Sequence, residues 1–142
     1  MKTITSILCA VGIALLTACA SPPQPQPLYL SLGGEAGIAQ IVHRTLTRVS
    51  QDPQTARTFR GIKMPFLIDS VSKHICHVAD GPCVYEGETM ARAHADLGLA
   101  GSDFDRMAQT LREELDRAGV SQAAKNELLR RLTPMRRDIV TR

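Results

Sequence analysis

The chain has no apolar run long enough to cross a membrane as a helix. Its longest, Ile4 to Leu16, falls short of the roughly 20 residues a bilayer core demands and sits just behind the positive Lys2. That layout is an export signal rather than a spanning helix. Also missing is any clean alternation of apolar and polar residues between hairpin turns, which argues against strands. Strong charge of one sign is missing too. The formal net charge is +3, or +2 once Lys2, the sole charge in residues 1–18, is set aside. Such a balance leaves no electrostatic footprint for nucleic acid, and Arg130, Arg131, Arg136 and Arg137 read as a solvated helix face. No serine elbow and no cysteine–histidine–acid set supports nucleophilic hydrolysis. No flavin or nicotinamide motif is present, so any redox turnover would draw its electrons from elsewhere.

What is there begins with Leu16-Thr17-Ala18-Cys19, which resembles the cleavage box of bacterial lipoproteins. The resemblance implies removal of residues 1–18 as a lipoprotein signal peptide and acylation of Cys19. Residues 19–27 then form a tether, whose alternating prolines favour an extended chain reaching ~25 Å. Ala20 follows the cysteine where an acidic residue would, in that family, argue for inner-membrane retention. The expected location is therefore the periplasmic face of a bacterial membrane, with the outer membrane favoured. Residues 28–142 are of a size that usually has one core. Of four cysteines, Cys9 leaves with the signal and Cys19 takes lipid, so Cys76 and Cys83 stay in the domain. An oxidising compartment permits a disulfide between them.

Every sustained periodicity in the domain is helical, so the spacing predicts an all-α fold. Ile38, Ile41, Val42, Thr45, Leu46 and Val49 follow a 3-4 rhythm stopped by Asp52-Pro53. Met64, Leu67, Ile68, Val71, Ile75 and Val78 repeat it up to Asp80-Gly81-Pro82. A third helix of about ten residues is expected around Met90, His94 and Leu97, closed by Gly98. The next starts at Ser102 with Asp105 in a capping-box arrangement and runs through Phe104, Met107, Leu111 and Leu115 to Gly119. Ser121 caps a last helix carrying Ala124, Leu128, Leu132, Met135 and Ile139, with a kink expected at Pro134.

Chemistry concentrates between Arg57 and Arg92, where Phe59, Tyr85, His74 and His77 lie close to His94. On a helix His94 shares one apolar face with Met90 and Leu97. An imidazole there is either a satisfied core histidine or a ligand for something buried. His74, Cys76, His77 and Cys83 place nitrogen and sulfur donors within ten residues, which suits zinc. Adjacent donors on one helix point apart, however, and a disulfide would remove both thiolates. Lys73 stands where a first cysteine would precede Cys76-His77, so covalent c-type haem is not indicated.

The order of these pieces resembles the group I truncated haemoglobins. Leu32-Gly33-Gly34-Glu35-Ala36-Gly37-Ile38 opens the likeness, then Arg48-Val49, Asp52-Pro53, Phe59-Arg60-Gly61 and Met64. Gly81 to Gly87, Met90 to His94 and Leu97-Gly98-Leu99 complete it over essentially the whole domain. The resemblance implies a two-over-two helical sandwich holding haem b noncovalently, with the iron ligated by His94. It places Phe59 against the haem edge, with Met64, Leu67, Val71, Tyr85, Met90 and Leu97 around the pocket.

The gas side departs from the family pattern. The position where a tyrosine usually donates to bound oxygen is Leu46, and further donor positions correspond to Leu67 and Val71. A hydrogen bond in a dry pocket is worth about 1–3 kcal/mol, so losing it weakens oxygen retention roughly ten- to a hundred-fold. An apolar pocket suited to carbon monoxide or nitric oxide is expected, with nitric-oxide dioxygenase-like or peroxidase-like turnover needing an unidentified reductase. His74, one turn beyond Val71, is the residue able to restore polarity or to become a second iron ligand. His77 and His43 read as solvent-facing. The rival readings are a bis-histidine electron-transfer or sensor protein and a haem-free helical scaffold lipoprotein.

Overall fold

The computed structural model describes residues 26–142. The expected export signal, Cys19 and most of the expected tether lie outside the described residues. Among the described residues all regular structure is helical and no helix is long and apolar enough to cross a membrane. In chain order the helices are α1 (Leu28–Ser31), α2 (Gly34–Gln51), α3 (Met64–Val78), α4 (Met90–His94), α5 (Gly101–Arg117), α6 (Gln122–Leu132) and α7 (Arg136–Ile139). Short 3-10 turns stand at Ala56–Phe59 and Thr133–Met135.

The apolar stripe of α2 is buried along its length, from Ile38 to Val49. It packs on α3 to one side and α5 to the other, and α6 closes against α3 and α5. This is the expected two-over-two sandwich. Burial of these stripes outweighs the modest helix propensity of the Ile and Val residues in α2. The free carbonyl of Val49 at the end of α2 accepts from the buried Thr55 hydroxyl at 2.5 Å, so the helix end is satisfied inside the protein. Pro65 sits in the first turn of α3, where its missing N–H costs nothing. Ser121 caps α6 as expected, accepting from the Ala124 amide at 3.2 Å.

Four expectations need correction. The third helix is only five residues long, because the chain turns away at Ala95–Leu97 after His94. The cap of α5 is shifted towards the N-terminus: the Asp103 carboxylate, not Asp105, accepts from the Ala100 amide at 2.9 Å. Arg57 decides that shift by gripping Asp103 through both carboxylate oxygens at 2.9 and 2.7 Å, tying the first 3-10 turn to α5. Burial pushes the Asp103 carboxyl up, but the Ala100 amide and Arg57 together hold it below its ordinary value. Arg131 does not belong to a solvated face. It is half-buried and donates to the Val78 carbonyl at 2.7 Å and to Asp80 at 2.6 Å, closing the C-terminal end of α3 from α6. The kink at Pro134 is a full break, with one 3-10 turn between α6 and α7.

Candidate functional site

α4 is too short to be stable by itself and is held by its surroundings. Thr89 caps it, accepting from the Arg92 amide at 3.4 Å. Its main neighbour is α7 rather than α3. The following segment is pinned by the C-terminal tail, where the Thr141 and Arg142 amides donate to the Leu99 carbonyl at 3.0 and 3.1 Å. His94 occupies the last position of α4 and is half-buried. Its Nδ1 lies 2.8 Å from the Met90 carbonyl. A carbonyl only accepts, so Nδ1 carries the proton and Nε2 keeps a bare lone pair. A backbone-oriented imidazole with one free nitrogen is the form in which histidine binds a metal.

Across from α4, one face of α3 carries Met64, Leu67, Val71 and His74. The first three are half-buried hydrophobics packed on the edge of the core, as is Phe59 from the 3-10 turn before α3. Leu46 lies deeper, buried within the core itself. Met90 is half-buried, whereas Leu97 leaves the shortened helix and is 45% exposed. Tyr85 is half-buried and its hydroxyl donates to the Glu88 carbonyl at 2.9 Å. His77 and His43 are exposed.

His74 is engaged on two sides. Its ring meets Tyr85 edge-on with centroids 4.8 Å apart, and its Nε2 lies 3.4 Å from the thioether of Met135. The thioether only accepts, which puts the proton on Nε2 and leaves Nδ1 buried with no partner. Burial, then the neighbouring His77 and His94, push the His74 imidazole below its ordinary value. It is therefore neutral at physiological pH. Two imidazoles with fixed tautomers thus lie within electrostatic reach of each other, one on α3 and one on α4.

Cys76 and Cys83 are joined in a disulfide, which consumes both thiolates the zinc reading needed. Among the described residues no three metal-binding side chains converge. What remains is a face of α3 with half-buried apolar side chains and, on α4, an imidazole with one bare nitrogen.

A family model described as bacterial-like globin matches residues 27–141. The chain belongs to this family. Within it, the chain is 30% identical over 115 residues to the group 1 truncated haemoglobin of Nostoc commune, covering 81% of this chain and 98% of that one. Among solved structures, the truncated haemoglobin of Tetrahymena pyriformis in its Fe(III) form superposes with a TM-score of 0.78 at 26% identity, covering 82% of this chain and all of that one. A Synechococcus 2/2 haemoglobin, described in the cyanomet state with covalently attached haem, gives 0.77 at 27% identity and the same 82% coverage of this chain. These globins share the helix order and the two-over-two packing. Sequence reasoning named His94 and the α3 face through the family pattern. It did not see that Met135 engages His74, because residues 61 positions apart carry no common local signal.

Proposed function

We propose that this globin holds haem b through His94 and reversibly binds a diatomic gas, while a lipid on Cys19 ties it to the periplasmic face of a bacterial membrane. Haem and gas binding follow from family membership. One observation carries the residue assignment: the Met90 carbonyl accepts a hydrogen bond from Nδ1–H of His94, so the remaining nitrogen is free for iron. The residues present fit the group. Met64, Leu67, Val71 and Phe59 supply apolar contacts that are only half satisfied by the protein, and Met90 lies on the His94 side.

The iron supplies the coordination position for the gas. The protein decides what surrounds it. Leu46, Leu67 and Val71 have no N–H or O–H to offer a ligand, so they favour gases that need no hydrogen bond, carbon monoxide and nitric oxide over oxygen. His74 does not change this in its present position, because its one N–H points at the Met135 thioether and the bare Nδ1 has no proton to donate. Its contacts count against a second histidine on iron, since they fix the His74 ring between Met135 and Tyr85.

Absorption spectra of the purified protein test the reading. An intense Soret band that moves on added carbon monoxide, and is lost or altered in His94→Ala, is the expected result. If no Soret complex forms, or His94→Ala leaves it unchanged, the site assignment is wrong. A ferrous six-coordinate spectrum indifferent to gas marks the bis-histidine alternative. The membrane reading is supported by the cleavage-box residues around Cys19 and by the disulfide, a bond characteristic of exported proteins. Metabolic labelling with a fatty-acid analogue tests it: label should enter the wild type and not Cys19→Ser, and equal labelling would overturn it.

A further inference from the structure

The segment from Gly81 to Thr89 has no helix or strand, yet it is the only covalent route from α3 to α4. It folds back along the end of α3 with two rungs. Cys76 is bonded to Cys83, with their Cα atoms 5.8 Å apart. Two residues further along each arm, the His74 ring meets the Tyr85 ring at 4.8 Å. The turn between the arms is tight: the Gly81 amide donates to the Cys76 carbonyl at 2.8 Å. A Cβ on Gly81 would lie 2.6 Å from the Cys76 sulfur and 2.5 Å from the Tyr29 ring, so only glycine allows the approach. At Gly87 a Cβ would lie 2.4 Å from the Tyr85 ring, which therefore rests on the strap's own backbone.

The far end of the strap runs straight into α4. The Tyr85 hydroxyl donates to the Glu88 carbonyl, Glu88 pairs with Arg92 at 3.1 Å, and Thr89 caps the helix. No other part of the strap is covalently tied to the core, so the disulfide anchors α4 from the strap side, while α7 and the C-terminal tail hold it from the other. The bond is also reachable. Cys76 is buried, but both sulfur residues line a surface cleft of about 260 Å³ shared with Lys73, Ser72, Asp69 and Glu35.

From this arrangement we propose that Cys76–Cys83 is a thiol–disulfide exchange site that controls how firmly α4 presents His94. The co-reactant is a dithiol, small or protein-borne. Its thiolate bonds to the Cys83 sulfur and the sulfur–sulfur bond breaks. Cys76 leaves as a thiolate and takes up a proton. The second thiol of the reductant then attacks the mixed disulfide, freeing Cys83 as a thiol, while the dithiol ends as a disulfide. Two electrons and two protons have passed to the protein. Reduction leaves the His74–Tyr85 contact as the remaining rung and loosens the strap. This inference rests on the haem reading above for its effect on ligation, but not for the motion of the strap.

Two measurements on the full-length protein separate the two ideas. In the haem-loaded form, a dithiol should expose two titratable thiols, raise the rate of haem transfer to an apoglobin acceptor about tenfold, and shift the iron–imidazole stretching band. Cys76→Ala/Cys83→Ala should show the reduced-state values without dithiol and ignore its addition, while its far-UV spectrum stays helical. Thiols that appear with no change in transfer rate or stretching band would overturn the proposal, as would a disulfide that resists dithiol in the folded protein. In the haem-free chain, amide hydrogen exchange across residues 81–89 should speed up on reduction, with α2 and α5 unaffected. Unchanged exchange sinks the clamp, and absence of any Soret complex sinks only the haem reading.

Discussion

The two halves of this domain are built to different rules. Around α2, α5 and α6 the interior is closed: Leu32, Ile38, Val49, Leu115 and Leu128 are all but inaccessible. Even a charge is buried there and fully partnered. The Glu114 side chain is 0% exposed and accepts from Arg44 at 2.9 Å and Arg48 at 2.8 Å. Burial pushes its carboxyl up, yet the hydrogen bonds from Arg48 and Arg44 prevail and hold it below its ordinary value. Around α3 and α4 the opposite holds. Phe59, Met64, Leu67 and Val71 are half-buried, Leu97 and Phe66 are exposed, and His74 keeps an orphaned buried nitrogen. Apolar surface left unburied and polar atoms left unpaired both cost stability. A fold carries them where something else is meant to fit. The closed half provides the stability against which the open half can stay receptive.

The sharpest test of this division is a cavity in the closed half. Leu115→Ala should cost about 3–4 kcal/mol, lowering the melting temperature by about 10 °C or more, with the Soret position of whatever folds unchanged. A thermal melt that barely moves would mean the α2–α5 half is not the stability core. Next comes Glu114→Gln, expected to cost about 2 kcal/mol because the arginines lose their charged acceptor in a dry site. Denaturant titration measures it.

The same carboxylates set the acid limit of the fold. Glu114 and Asp103 are held low, and hydrogen bonds from Arg130 and Arg131 bring Glu127 to about 2. A carboxyl with a lower value in the folded chain than in the unfolded one stabilises the fold above its free value. Stability should therefore be full above about pH 5 and drain away as the pH falls towards about 2. Urea midpoints measured across that window would expose a flat profile as a contradiction.

On the open side the changes should touch ligands more than stability. Leu67→Gln puts an amide donor on the α3 face and should slow oxygen release about tenfold with little change in melting. An unaltered release rate, measured by stopped flow, would remove Leu67 from the gas pocket. The smallest effect is expected from His74→Phe. It deletes the orphaned nitrogen but also the Met135 contact, so stability should stay within about 1 kcal/mol. Its ferrous spectrum should match the wild type, and conversion from a six- to a five-coordinate spectrum would show that His74 had been on iron.

How much of this was legible in the sequence differs between the halves in the same way. The helices of the closed half could be read directly: the stripe from Ile38 to Val49 and the Ser121 cap are local patterns that burial reinforces. In the open half local pattern misled. Met90, His94 and Leu97 share a face only if the helix continues, and it stops at His94. The closed half misled at one point too: the Ser102 and Asp105 pair looked like the cap of α5, but Arg57, 46 residues away, chose Asp103.

The sequence by itself determined the helical class and, through its motif order, the globin family, and it nominated His94 as the residue to hold the haem. These rest on periodicity and on motif order, which need no knowledge of what touches what. Tertiary structure alone decided that Cys76 meets Cys83, that Met135 and Tyr85 hold His74 aside, and that Arg131 closes α3. Each is a contact between elements, set by how whole helix faces bury against one another, and no local run of residues encodes it.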